Sequence, residues 1–462
     1  MGLLVRPVAL LIYCTTASLF FLTSSSAAAI AGGTPDGSEE WGYVQVRPKA
    51  HMFWWLYRSP QRVNNKGSTP WPTVLWLQGG PGASGVGYGN FMEIGPLDTN
   101  LKPRPSTWLS KADLLFVDNP VGTGFSYVEG GDRTLLARTD AEAATDLTTL
   151  LSQLYRSNNT RLQGSPLYIV AESYGGKFAV TTALAALKAI HAGRLAASLA
   201  GTYTHISTIA PFASISTHIH RVALGKCKCK CSLAQQIKAQ VKAAQFLEAE
   251  NTWQSLESII LEQANFIDFY NFLKDDSSSD ANLEQQQRQR LLASLGQSRR
   301  RYSGYLSSKV TTEGGFAGIM NTVIRDKLRI IPKNVTWSEQ SDDVFEALAG
   351  DFMKPRILEV DELLNLGLNV TIYSGQLDLI CATKGTLDWI QKLKWDGLKN
   401  FTNSRRVPLY CSGGEAAGTQ AFLKSYKNLK FYWILGAGHM VPIDNPCPAL
   451  KMLGDITQSP AQ

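Results

Sequence analysis

A largely parallel α/β sheet, covered on both faces, is the fold class this sequence predicts. Three observations lead there. Four short runs of apolar, β-branched or aromatic residues recur along the chain, at Thr73–Leu77, Leu114–Val117, Leu167–Val170 and Val370–Tyr373, with a fifth at Phe431–Leu435. Most of them stop at glycine, proline or asparagine, and helical patterns such as Asp140–Leu154 and Lys177–Ala189 fall between several of them. The runs are nearly uniformly apolar instead of alternating, which is how a strand buried on both faces reads. The N-terminal stretch "WGYVQVRPKAHMFWWLYRS" alternates more strongly and predicts an antiparallel hairpin at the sheet edge. Residues 232–348 differ from the rest, being rich in Gln, Lys, Glu, Ser and Leu. Stretches such as "AQQIKAQVKAAQFLEAENTWQSLESIILEQ" predict a mainly helical insertion, interrupted by a flexible polar patch at "KDDSSSD". With 462 residues, 44% of them hydrophobic, the chain suffices for one enlarged domain over residues 30–462.

The formal net charge of +7 is mild for this length and its basic residues are scattered, which argues against nucleic acid as a partner. No interior window reaches the roughly 18 unbroken apolar residues of a membrane span. The first 29 residues are distinct: a basic Arg6, an apolar stretch, then small residues around Ala27–Ala29, the pattern of a cleavable signal peptide. Its removal takes away Cys14 and leaves six cysteines, Cys227, Cys229, Cys231, Cys381, Cys411 and Cys447, an even number that favours disulfides without fixing their pairing. The "KCKCKC" run lacks the paired C-x₂₋₄-C spacing of zinc sites, so no metal and no cofactor is expected. Sequons at Asn158, Asn334, Asn369 and Asn400 fit a secretory route leading to the extracellular space or a vacuole. Asn369, at a strand-like run, is the least expected to be modified.

The stretch "LYIVAESYGGKFAV" runs from a strand pattern straight into a helical one, with Ser173 at the join. Such a turn lifts a serine oxygen clear of the sheet and aims the first helical N–H groups at it, provided the flanking residues are small. Here Ala171 replaces the first glycine of G-x-S-x-G. Alone, the turn equally fits an ordinary helix-capping serine. A nucleophilic hydroxyl also needs a base, and the base an orienting acid, in the chain order serine, acid, histidine. "VTIYSGQLDLIC" places Asp378 just past a strand, and "FYWILGAGHMVPIDNP" places His439 past another, in a glycine-rich loop. The other five histidines stand in the N-terminal hairpin (His51), in a helix (His191) or in one odd segment (His205, His218, His220). "VLWLQGGPGASG" ends its strand in Gly79-Gly80-Pro81-Gly82, where bare backbone N–H groups can approach an oxyanion, with the Tyr174 N–H as second donor.

Taken together, "WLQGGPGASG…FMEIGP", "FVDNPVGTGFSY", "AESYGGKFAV", "YSGQLDLIC" and "GAGHMVP" resemble the serine carboxypeptidases of the α/β-hydrolase fold. Within that family they resemble the plant serine carboxypeptidase-like proteins related to retinoid-inducible serine carboxypeptidase. The resemblance spans nearly the whole mature chain. It implies Ser173 as nucleophile, His439 as base, Asp378 as its partner, and Gly80 and Tyr174 as the oxyanion hole. It also implies that Glu93 and Glu172, with Gln78 and Gly79, hold the free C-terminal carboxylate of a peptide or protein substrate. Two carboxyls that close cannot both ionise cheaply, so one stays protonated and peptide binding is expected to be best at acidic pH. Two departures stand out locally: Gln78 occupies a position usually held by asparagine, and Ala83 one usually held by cysteine. A larger departure is residues 202–231, where "TYTHISTIAPFASISTHIHRVALGKCKCKC" replaces an expected strand and its Gly-Asp-Ser-Trp-like loop. Thr202–Ala210 keeps strand propensity, but foreign sequence beside the serine turn leaves open a catalytically impaired variant. An acyltransferase using ester donors on the same scaffold is a further alternative. The oligomeric state is not legible.

Overall fold

The computed structural model describes residues 31–62, 71–205, 228–263, 267–273, 315–411, 414 and 418–459. The signal-peptide expectation, the "KDDSSSD" patch and most of the 202–231 segment lie outside the described residues.

Among the described residues twelve strands form one sheet: β1 (Ala31–Gly33), β2 (Glu39–Arg47), β3 (Ala50–Tyr57), β4 (Thr73–Leu77), β5 (Asp113–Val117), β6 (Tyr127–Val128), β7 (Pro166–Glu172), β8 (Ser198–His205), β9 (Asn369–Gly375), β10 (Val407–Leu409), β11 (Ala421–Tyr426) and β12 (Leu429–Ile434). Their spatial order is β1-β2-β3-β5-β4-β7-β8-β9-β12-β11-β10, with β6 beside β3. The centre, β5-β4-β7-β8-β9-β12, is wholly parallel, and both flanks are antiparallel, the expected β2–β3 hairpin among them. The fold is that of the α/β hydrolases.

Uniformly apolar strands are accounted for by their two covered faces. In β7, Leu167, Ile169 and Ala171 pack on one side, into a core shared with α1 (Asp140–Arg156) and α2 (Gly175–His191), while Tyr168 and Val170 pack on the other. That second core holds Trp55, Trp76, Phe91 and Trp337. Alternate residues of each strand serve alternate cores, so both sets must be apolar.

The first four residues of the departing segment, 202–205, lie in the sheet. Strand β8 begins at Ser198, four residues earlier than its propensity suggests, and pairs with β7 through Glu172↔His205 and with β9 through His205↔Tyr373. Backbone pairing thus reaches the level of the serine turn on both sides of β8, and Thr202 is fully buried within it. After β8, the helices α3 (Lys228–Lys242) and α4 (Phe246–Gln263) are followed by the helical stretch Gly315–Leu328 and by α5 (Asp342–Phe352) and α6 (Ile357–Asn365). Trp253 of α4 packs on Phe352 of α5, 5.4 Å between ring centres, which docks the helical region against the domain behind the turn.

Candidate active site

Ser173, Asp378 and His439 follow the C-terminal ends of β7, β9 and β12, the same edge of the parallel sheet. Strand β7 ends at Glu172 and α2 starts at Gly175, so two residues carry the reversal. Ser173 takes φ 58°, a left-handed conformation that is uncommon for a residue with a side chain and is held only where the surroundings over-determine it. From Leu167 to Val180 it is the one residue that is not buried. Packing explains the small neighbours. A Cβ on Gly79 would sit 2.6 Å from Ser173 Cβ and 2.9 Å from the Tyr174 nitrogen, and one on Gly175 would collide with the Leu77 carbonyl. The glycine loop after β4 therefore lies directly against the turn, with Gly80 at φ 106°. Ala171, where a glycine is usual, points into the core and is fully buried.

The histidine and aspartate meet as expected: His439 Nδ1 lies 2.8 Å from Asp378 Oδ2, both side chains fully buried. The other carboxylate oxygen, Oδ1, accepts the Cys381 N–H at 2.8 Å, which fixes the carboxylate plane. Burial alone would lower the imidazole; Asp378 and Cys381 beside it outweigh that and hold it well above the ordinary histidine value. Cys381 corrects the cysteine reading. Cys411 and Cys447 form a disulfide, but Cys381 is a free, buried thiol whose sulfur falls within 4.8 Å of the Asp378 and His439 ligand-type atoms. An even cysteine count carries no information on which thiols are close enough to pair. The side chains of Cys227, Cys229 and Cys231 lie outside the described residues.

Glu93, Gln78 and Glu172 form a second, fully buried constellation against the turn. Gln78 Nε2 donates to Glu93 Oε1 and Glu172 Oε1, 3.1 Å each, and Gln78 Oε1 accepts the Trp76 indole N–H at 2.7 Å. The extra methylene relative to asparagine is thus absorbed: the amide still spans both carboxyls, and its orientation is set by an indole the sequence reading did not single out. Burial raises Glu93, and burial together with the neighbouring Glu93 charge raises Glu172 well above the carboxylate range. The doubly ionised pair would place like charges together out of water, which favours a pair holding one proton.

Behind the turn is a charged cluster that sequence reasoning missed. Lys177, fully buried on the first turn of α2, lies 3.3 Å from Asp351 Oδ2 and 3.9 Å from Asp140 Oδ2. Arg356 Nε donates to Asp140 Oδ2 at 2.6 Å, and the Tyr174 hydroxyl reaches Asp351 Oδ2 at 3.3 Å. Its only trace in the sequence is a lysine among apolar residues just after the glycine pair.

A parallel-centred sheet with a strained serine turn and a buried histidine–aspartate pair at one edge defines a hydrolase of the α/β class. The chain belongs to the serine carboxypeptidase family, whose model matches residues 31–459. It is 52% identical over 437 residues to serine carboxypeptidase-like 51 of Arabidopsis thaliana, covering 92% of this chain and 93% of that one. It is 43% identical to the retinoid-inducible serine carboxypeptidase of Homo sapiens, covering 92% of both chains. Among solved structures it is similar to Kex1(delta)p, a prohormone-processing carboxypeptidase from Saccharomyces cerevisiae, with a TM-score of 0.70 over 92% of both chains at 22% identity, a likeness in fold. The resemblance read from the five motifs is thereby borne out, and the protein is a serine-type carboxypeptidase of the hydrolases.

Proposed function

We propose that Ser173, His439 and Asp378 remove C-terminal residues from peptides by acyl-enzyme hydrolysis at acidic pH, with Gln78, Gly79, Glu93 and Glu172 holding the substrate carboxylate. The observation carrying this reading is the buried Glu93–Gln78–Glu172 set, contiguous in chain with the strained serine. In this reading Ser173 Oγ attacks the terminal peptide carbonyl while its proton passes to His439 Nε2. Asp378 holds the Nδ1–H and stabilises the imidazolium. The N–H groups of Gly80 and Tyr174 take the oxyanion. His439 then gives the proton to the leaving amino acid, and water, deprotonated by the same imidazole, releases the acyl group. A protonated carboxyl of the Glu93–Glu172 pair donates to the substrate carboxylate. No ester donor site is invoked, and the carboxylate-binding set favours peptides.

The pH dependence of this clamp separates from that of the base. A peptide and its C-terminal amide use the same His439, so the ratio of their kcat/KM values cancels the imidazole titration. Both clamp carboxyls are raised, so the binding proton is retained up to a higher pH than an ordinary carboxyl allows and is lost above it. The peptide-over-amide ratio is expected to be greatest at low pH and to fall by about tenfold or more as pH rises, the worth of a charge-assisted hydrogen bond. Glu172→Gln, which donates at every pH, should flatten the curve. A ratio independent of pH in the wild-type protein would refute the clamp.

The secretory route is part of the same proposal. Asn158, Asn334, Asn369 and Asn400 are all exposed, Asn369 included because it opens β9 at its solvent end. No helix among the described residues is long and apolar enough to cross a membrane. Endoglycosidase treatment of the protein made in eukaryotic cells is expected to lower its apparent mass.

A further inference from the structure

Asp378 and His439 sit on separate loops that meet directly short of the two residues, where the Leu377 N–H donates to the Ala437 carbonyl at 2.8 Å and the Gly436 N–H to Gln376 Oε1 at 3.0 Å. Productive acid–base pairs need placement to within about 0.5 Å. We propose that Asp268–Leu273, a short segment from the helical region, is a strap that sets the two loops in register, and that Tyr270 is a positioning residue for His439. The inference rests on reading Asp378 and His439 as acid and base.

The strap bonds to both loops at the residues that matter. The Phe269 carbonyl accepts the N–H groups of Leu379 and Ile380 at 3.0 and 3.1 Å, and the Phe272 N–H donates to the Leu377 carbonyl at 3.1 Å. These contacts bracket Asp378. On the other loop, the Tyr270 carbonyl accepts the N–H of His439 itself at 2.7 Å. Asn271 Nδ2 donates at 3.0 Å to Asp444 Oδ2, which also accepts the Gly438 N–H at 2.8 Å. The segment is stiffened from within: Asp268 Oδ1 accepts the Tyr270 N–H at 2.8 Å and Asn271 Oδ1 the Leu273 N–H at 3.2 Å, both local turns that pin the backbone.

Packing admits little slack. A Cβ on Gly438 would collide with the Tyr270 carbonyl and lie 2.7 Å from Asn271 Cβ, while one on Gly375, at the end of β9, would collide with the Gly438 carbonyl. Strand end, histidine loop and strap are therefore stacked at backbone distance. The Tyr270 ring then stands edge-on to the imidazole, 5.1 Å between centres at 75°. Its carbonyl holds the histidine backbone and its ring limits the imidazole's swing, so one residue bears on both the main chain and the side chain of His439.

The test uses the full chain and starts with the wild-type protein. Fluorophosphonate labelling and peptide hydrolysis are measured first; if neither occurs, the catalytic reading fails, and the strap with it. With an active protein, Tyr270→Ala is expected to lower kcat about 10- to 100-fold, with KM changed less than about threefold and the pH midpoint of kcat displaced. Tyr270→Phe, which keeps the ring, should stay within about twofold of wild type. The titratable neighbours of His439, namely Asp378, Cys381, Glu93 and Glu172, are unaltered in these variants. A displaced midpoint therefore reports on imidazole placement. Tyr270→Leu, which keeps bulk without the edge contact, serves if the alanine variant does not fold. Wild-type kcat and pH midpoint in Tyr270→Ala or Tyr270→Leu, an effect on KM alone, or Tyr270→Phe as impaired as Tyr270→Ala would each overturn the proposal.

Discussion

Ser173→Ala is expected to lower kcat on a peptide by about 10⁵- to 10⁶-fold and to abolish fluorophosphonate labelling, while the protein melts within a few degrees of wild type. The magnitude follows from the non-additivity of such triads: loss of the nucleophile alone costs about as much as loss of the whole unit. Stability should hold because alanine keeps the Cβ that the turn already accommodates at 2.6 Å from the Cβ position of Gly79, and the left-handed φ of 58° costs an alanine no less and little more than a serine. Substrate should still bind, since Gln78, Glu93 and Glu172 are untouched. A tight complex with an uncleaved peptide is therefore the expected state of this variant. Asp378→Asn provides the graded comparison. It keeps the shape of the 2.8 Å contact but no longer holds the imidazole in the needed tautomer, and a loss near 10⁴-fold is expected. Full activity in Ser173→Ala would remove the serine from the reaction altogether.

The parts of this molecule that were legible in its sequence are those encoded locally. The both-faces-buried strands, the serine turn and the glycine-rich loop each depend on residues within a few positions of one another, so periodicity and turn chemistry expose them. Asp378 and His439 were legible because each follows a recognisable strand in the required order. Distant partners were not legible from local pattern, and Gln78, Glu93 and Glu172 were grouped only through the family resemblance. Gln78 takes its orientation from Trp76 and spans Glu93 and Glu172, 15 and 94 positions away, and no local pattern announces that one amide serves both carboxyls. The strap residue Tyr270 sits in a stretch without any motif, 169 positions before the histidine it touches. Cys381 was counted as a disulfide candidate because sequence spacing carries no distances. Strand β8 is instructive in the other direction. From residue 202 onward its sequence reads unlike the strand expected there, yet its backbone pairs with β7 and β9 as far as His205.

Lys177→Met is expected to be the most destabilising single change at a residue outside the proposed chemistry, by about 3–5 kcal/mol, and to lower kcat as well. Lys177 is fully buried, and its ammonium is pushed down by burial and pulled back by Asp351 and Asp140. Around it two carboxylates face two cations, since Arg356 pairs with Asp140 and lies 3.3 Å from Asp351 Oδ1. A buried set of this kind contributes little net stability when complete, because desolvation offsets the attraction, but it becomes costly once one member is removed and a partner is left uncompensated. Methionine fills the volume, so the cost isolates charge from cavity. The sign with pH follows. Without the lysine, the Asp351 and Asp140 carboxyls lose a cation that lowers them, and their folded-state pKa values rise. A raised carboxyl destabilises the folded state above its unfolded pKa, and the penalty fades as the pH falls and the group is protonated. The gap in melting temperature between wild type and variant should therefore narrow on acidification. The effect on kcat has a separate route. The Tyr174 hydroxyl is anchored on Asp351 at 3.3 Å and its ring stacks on Phe352 at 5.4 Å, so the cluster holds the residue whose backbone N–H is the proposed second oxyanion donor. Outright loss of such a donor costs about 10²- to 10³-fold, and a displaced one should cost less, about tenfold. Adding Asp351→Asn to Lys177→Met restores neutrality and should recover melting temperature without recovering kcat. Recovery of both together would mean that the cluster acts on catalysis through stability alone.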